Sequence, residues 1–220
     1  TSDYLADVSC LSPGECVASG STYTGSRDEG TVAAETGGTW GRAQAILSGV
    51  PGNSGLLSVS CAAPGACSAV GWDANSAVVA SETSGTWGQP EILNGPAGQP
   101  ALLTGVSCTA AGDCEAVGSY QATPQQSEML AVTETGGAWG TPHELTPPAG
   151  AAPSQGFVSL SISCPAAGEC VAAGDYSLPF NPLRVAVRET GGVWGQAVEP
   201  PLPAGTGTVY FSTLADLSCP

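Results

Sequence analysis

One eight-residue phrase occurs four times in this chain, as AETGGTWG at residues 34–41, SETSGTWG at 81–88, TETGGAWG at 133–140 and RETGGVWG at 188–195. The steps between copies are 47, 52 and 55 residues. Each copy follows a C-x5-C pair in a common frame: VSCLSPGECVASG, VSCAAPGACSAVG, VSCTAAGDCEAVG and ISCPAAGECVAAG. The pairs are Cys10 and Cys16, Cys61 and Cys67, Cys108 and Cys114, and Cys164 and Cys170, with Cys219 left over. Self-similarity at a period between about 20 and 50 residues is the mark of a repeat architecture, so every further expectation is read on that frame.

Each repeat reads as four strands. Strand A ends at the first cysteine (LADVS, LLSVS), strand B runs from the second (CVASG, CSAVG), strand C is an alternating apolar run before the glutamate (SAVVASE, LRVAVRE), and strand D starts at the tryptophan (WGQPEIL). Short β-rich segments punctuated by Gly, Pro, Asn and Ser predict an all-β fold. Four strands in roughly 50 residues, with turns in register, match a blade of a β-propeller. The expected boundaries are 5–54, 55–101, 102–157 and 158–211 within one domain spanning 1–220, with residues 212–220 beginning a fifth repeat.

The cysteines of each pair lie at the neck of the A–B hairpin, where Cβ atoms approach closely enough for a bridge. Four local disulfides are therefore expected. Zinc and redox chemistry are the alternatives, but zinc favours shorter spacings and histidine, and the single histidine, His143, occupies no repeated position. Nine cysteines in a chain with few charges point to an oxidising, extracellular setting.

At the C–D hairpin the phrase supplies glycines for a tight turn. The tryptophans Trp40, Trp87, Trp139 and Trp194 are expected to pack beneath it, and Glu35, Glu82, Glu134 and Glu189 to accept hydrogen bonds from turn N–H groups. Four copies argue for a structural task. The phrase resembles a shortened Asp-box, the S-x-D-x-G-x-x-W hairpin of sialidase-type propellers, with Glu for Asp. The whole repeat resembles secreted actinobacterial repeat proteins that combine the C-x5-C hairpin with ETGGxWG. That resemblance implies a secreted β-propeller and no defined activity. A sialidase would also need six blades and an arginine triad, whereas this chain offers four repeats and four scattered arginines.

The count of strands fits three arrangements: a segment of a longer array, a closed four-bladed ring with a spare strand, or a unit that dimerises or polymerises by strand addition through residues 212–220. STLADLSC near residue 219 echoes YLADVSC near residue 10, and Cys219 becomes a candidate for an intermolecular bridge.

Acids outnumber bases 19 to 4, for a formal charge of −15. Such a surface repels phosphate backbones and anionic lipid, and no run of apolar residues is long enough to span a bilayer. Nor does TSDYLADVSC have the basic start and apolar stretch of a signal peptide, so secretion would imply a signal already removed. Nucleic-acid and membrane-inserted functions are disfavoured; an extracellular glycan or protein is the expected partner.

Variable loops after strands B and D share one face of such a fold, which is where binding on a rigid scaffold is expected. Tyr23, Trp72, Tyr120 and Tyr176 begin the B–C loops. They read either as a lectin-like ring of stacking aromatics, suited to multivalent sugar binding, or as caps on the blade cores. A glycoside-acting enzyme would need paired carboxylates near the axis, for which Asp7 and Asp216, or Asp73 and Asp175, are the candidates. No cofactor is expected; Ca²⁺ on Asp28, Glu29, Asp73 and Asp175 is the alternative, without a consensus loop to support it.

Overall fold

The computed structural model describes residues 3–50, 52–155, 158–177, 183–201 and 217–219. Repeat 1 comprises β1 (Tyr4–Ser12), β2 (Glu15–Tyr23), β3 (Asp28–Thr36), β4 (Thr39–Trp40) and β5 (Gln44–Ala45). Repeat 2 comprises β6 (Ser54–Ala63), β7 (Ala66–Asp73), β8 (Ser76–Thr83), β9 (Thr86–Trp87) and β10 (Glu91–Leu93). Repeat 3 comprises β11 (Ala101–Ala110), β12 (Asp113–Thr123), β13 (Gln126–Thr135), β14 (Ala138–Trp139) and β15 (His143–Glu144). Repeat 4 comprises β16 (Val158–Ala166), β17 (Glu169–Tyr176), β18 (Leu183–Thr190) and β19 (Val193–Trp194). Among the described residues there is no α-helix.

Each repeat is one antiparallel sheet in the order A-B-C-D. Strand D is split. Its first piece carries the tryptophan, and a later piece returns to strand C as β5, β10 or β15, or as the isolated bridge of Val198 to Ala186 in repeat 4. The interruption falls at the glycine after each tryptophan: Gly41, Gly88, Gly140 and Gly195 donate their N–H groups back to strand C, to Ala34, Ser81, Thr133 and Arg188.

All four disulfides join the expected partners. The strands run past the cysteines rather than stopping at them, so Cys10 pairs with Cys16 inside the ladder and Ser12 with Glu15 closes a two-residue Pro13–Gly14 turn. The second turn, at the C–D hairpin, has positive φ at Gly37 and Gly38, Gly136 and Gly137, and Gly191 and Gly192, as a tight antiparallel turn requires. These two turns are clasped together in every repeat. Gly38 N–H donates to the Gly14 carbonyl at 3.1 Å, and Gly85 to Gly65, Gly137 to Gly112 and Gly192 to Gly168 do the same at 3.0, 2.9 and 3.1 Å.

The cores lie between sheets. One cluster joins Val32, Leu47 and Val50 of repeat 1 to Leu56, Val59, Ala69 and Val78 of repeat 2. A second joins Val70 and Val79 to Leu103, Ala116 and Leu130, and a third joins Val117, Met129 and Leu145 to Leu160, Ala172 and Val185. Strict alternation along each strand thus feeds two seams, one per face of the sheet. Trp87, Trp139 and Trp194 each pack at the seam their repeat makes with the one before it.

The A strands β1, β6, β11 and β16 stack in sequence order, and one repeated hydrogen bond ties them. Cys61 N–H donates to Ser9 Oγ at 3.1 Å, Cys108 to Ser60 at 3.0 Å and Cys164 to Ser107 at 3.0 Å. Cys219 N–H extends this ladder to Ser163 at 2.9 Å. Residues 212–216, which would complete a fifth strand A, and Asp216 among them, lie outside the described residues.

The glutamates of the repeated phrase do not accept the turn N–H groups as expected. Those donors go instead to the residue before the second cysteine: Gly37 N–H to Glu15, Gly136 to Asp113 and Gly191 to Glu169, each at 2.9 Å. The phrase glutamate sits in strand C opposite its cysteine, as Glu35 does opposite Cys16, so its side chain projects from the sheet face instead of into the turn. Glu134, 1% exposed, crosses the seam and accepts from Ser68 Oγ at 3.0 Å and Ser81 Oγ at 2.8 Å in repeat 2.

Candidate binding cleft

A cleft of about 610 Å³ opens where the B–C loops of repeats 2 and 3 meet the segments leading into strands A. Trp72, next to last in β7, lines it from repeat 2, and Gln121, near the end of β12, lines it from repeat 3. Asn75, Gln125, Gln126 and Gln155 supply amide groups around the opening. No charged side chain lines it among the described residues. Trp72 is held by the absence of a side chain beneath it: a Cβ on Gly55 would lie 3.0 Å from the indole nitrogen and 2.7 Å from the Tyr4 hydroxyl. The loop over repeat 3 is anchored through Gln121 N–H to the Pro100 carbonyl at 2.8 Å.

The four aromatic candidates do not share one environment. Trp72 lines the cleft and is partly buried. Tyr120 contributes to the cleft wall while being only 6% exposed, its hydroxyl donating to Glu144 Oε2 at 2.9 Å. Tyr176 is fully buried, donating to Glu128 Oε2 at 2.8 Å and accepting from Ser154 N–H at 2.9 Å. Burial and these carboxylates push both phenols above the ordinary tyrosine range, and burial raises Glu128 as well. Tyr23 is exposed, and its hydroxyl bonds to the Gly25 carbonyl within its own loop.

The acidic candidates are dispersed. Asp7 Oδ2 accepts from Ser58 Oγ at 2.8 Å and Val59 N–H at 2.9 Å, which fastens repeat 1 to repeat 2. Glu29 is paired with Arg27 at 2.8 Å, and the same guanidinium donates to the Ser48 carbonyl. Asp73 is buried and raised above the ordinary aspartate value by that burial, with the charge of Arg27 opposing the shift. Asp28 lies in β3, while Asp175 belongs to β17 in repeat 4. Among the described residues no three or more His, Cys, Asp or Glu side chains gather to hold a metal ion. His143 lies exposed on β15, paired with Ala131.

Sequence reasoning places the SYQATPQQSE loop on the binding face without singling out Gln121, Gln125 and Gln126, and only topology brings them into one cleft with Trp72. Cys219 is the one free cysteine among the described residues and is partly buried. No helix is long and apolar enough to cross a membrane among those residues. No protein-family model matches the chain, and no curated protein matches it.

Proposed function

We propose that this chain is a secreted, non-catalytic binding module built as a segment of a β-propeller, taking an uncharged glycan at the cleft between repeats 2 and 3. The observation that carries the reading is the lining of that cleft, one indole and a set of amides without a charged group. An indole offers a flat apolar surface to the C–H face of a sugar ring, and amides both donate to and accept from hydroxyls. The charge of −15 on the remainder of the chain favours a neutral ligand over an anionic one.

The propeller reading rests on four sheets of common order whose A strands stack in sequence, and the secreted reading on four disulfides. Hydrolysis draws no support from the cleft, since the paired carboxylates it requires are not among the lining residues. The test is a screen of neutral oligosaccharides by glycan array, followed by calorimetry with the best binder. Trp72→Ala should reduce affinity at least about tenfold with the fold retained. Binding to no glycan, or equal binding by the Trp72→Ala variant, rejects the cleft as the site.

A further inference from the structure

The first repeat exposes apolar residues whose counterparts every later repeat buries. Leu56, Leu103 and Leu160 are 0%, 0% and 1% exposed in strands A of repeats 2 to 4, whereas Leu5, at the same register, is 72% exposed. Val59, Val106 and Ile162 are buried, but Val8 is 55% exposed. Trp87, Trp139 and Trp194 sit in seams, and Trp40 stands 47% exposed. Beside Leu5 and Val8 runs a hydrogen-bonding edge, since Cys10 holds the ladder position from which Cys61, Cys108, Cys164 and Cys219 donate to a preceding serine.

We propose that this face docks on the fourth repeat of a second copy of the chain, head to tail, in place of residues 217–219. Two observations select that occupant. The first is charge. Across the seam between repeats 2 and 3, Glu134 accepts from Ser81; the residue of repeat 4 at the register of Ser81 is Arg188, exposed in a chain with only four basic residues. A first repeat seated on repeat 4 brings Glu35, the counterpart of Glu134, against Arg188. The second is sequence. The sequence that ends in Cys219, whose N–H donates to Ser163, reads LADLSC at 214–219, and β1 contains LADVSC at 5–10. One differing residue separates the two segments, so the first strand of a neighbouring copy fits the seat that 217–219 occupy, with Cys10 N–H replacing Cys219 N–H on Ser163.

The docking is heterologous, so it builds open chains or rings rather than a closed two-fold dimer. It is independent of the ligand reading, because the cleft lies between repeats 2 and 3. Analytical ultracentrifugation over a wide concentration range tests it on the 220-residue protein, with circular dichroism of every variant. The expected results are reversible association, tighter association when residues 212–220 are removed, and loss of association in Leu5→Asp/Val8→Asp. Arg188→Glu should weaken it about tenfold and the exchange Glu35→Arg/Arg188→Glu should recover it. A shortened protein that stays monomeric at all concentrations overturns the proposal. So does association indifferent to Leu5→Asp/Val8→Asp, or a monomer whose β1 amides resist hydrogen exchange because the array has closed on itself.

Discussion

Trp194 of the fourth repeat donates its indole N–H to Glu115 Oε1 of the third at 3.3 Å. This is the acidic version of a seam that repeats 2 and 3 build from hydroxyls, where Trp139 donates to Ser81 Oγ at 3.2 Å. Glu115 takes the register of Ser68 and places a carboxyl beside Glu189. Burial first, and then the neighbouring charge of Glu189, push Glu115 up to about 7, against the lowering effect of hydrogen bonds from Thr133 and Trp194. Glu189 is raised too, by burial and by Glu169.

These two groups contribute to a pH dependence of stability, in the same direction as Asp73, Glu82 and Glu128, which burial also raises. A carboxyl whose folded pKa exceeds its unfolded value holds its proton more tightly in the native state, so its contribution is fully present below about pH 4.5 and is lost as pH rises through about 7. Thermal unfolding should therefore move to higher temperature on acidification from pH 8 to pH 5. For Glu115 the ceiling is about 3 kcal/mol. Glu115→Gln should raise the melting temperature at pH 8 and flatten the profile; a profile as steep as that of the parent would show that this seam does not set it.

The seam between repeats 2 and 3 makes the complementary case. Glu134 is buried and accepts from both Ser68 and Ser81. Glu134→Ala removes the carboxylate acceptor of both hydroxyls, which keep only their bond to each other at 3.3 Å, and opens a void at the seam, which should cost about 2–4 kcal/mol. Glu134→Gln keeps one acceptor oxygen and should cost less. Urea unfolding of the two variants checks the order; equal losses would assign the cost to packing alone.

The repeat, the four strands per repeat and the disulfide pairing could be read from the chain because each is a local pattern. Cys10 and Cys16 meet through one hairpin, and the Trp40 phrase punctuates one turn. The seams were not legible to the same degree. A period of two tells that Glu134 and Val132 point to different faces from Thr133, but not that serines of the preceding sheet wait opposite the glutamate. Trp72 follows its motif glycine by one residue and Tyr120 and Tyr176 follow theirs by two, so the tyrosines fall on the other face of the strand; that offset was legible, whereas their partners Glu144, Glu128 and the Ser154 segment were not. The carboxylates that serve the turns, Glu15, Asp113 and Glu169, stood in the frame as the variable residue before the second cysteine.

The glycine that ends the C-x-A-V-G motif has a role that only the packed strands reveal. In repeats 1 to 3 strand A shifts register by a bulge next to this glycine, as between Leu103 and Gly105 in repeat 3. A Cβ on Gly118 would collide with the Leu102 carbonyl oxygen, and Gly20, Gly71 and Gly174 face the same obstruction. Gly118→Ala should therefore destabilise by more than about 2 kcal/mol, well beyond a helix-exposed exchange of the same kind. Denaturant titration measures it, and a loss under about 0.5 kcal/mol would mean that strand A yields without cost.

Repeat 2 lacks the turn carboxylate that the other three share, and this makes it improvable. Its residue before the second cysteine is Ala66, where Glu15, Asp113 and Glu169 accept from the opposing glycine N–H, and its turn carries Ser84 at φ 52° where the others have glycine. Ser84→Gly removes the left-handed strain of a side chain and should add about 0.5–1 kcal/mol. Ala66→Asp supplies an acceptor about as Asp113 does for Gly136 and should add about 0.5–1 kcal/mol. Because the donor is the N–H of residue 84 itself, the two changes should be coupled, with the double variant gaining more than the sum of the singles. A double-mutant cycle by thermal unfolding at pH 7 measures the coupling; strict additivity would show that the aspartate at position 66 does not reach the turn.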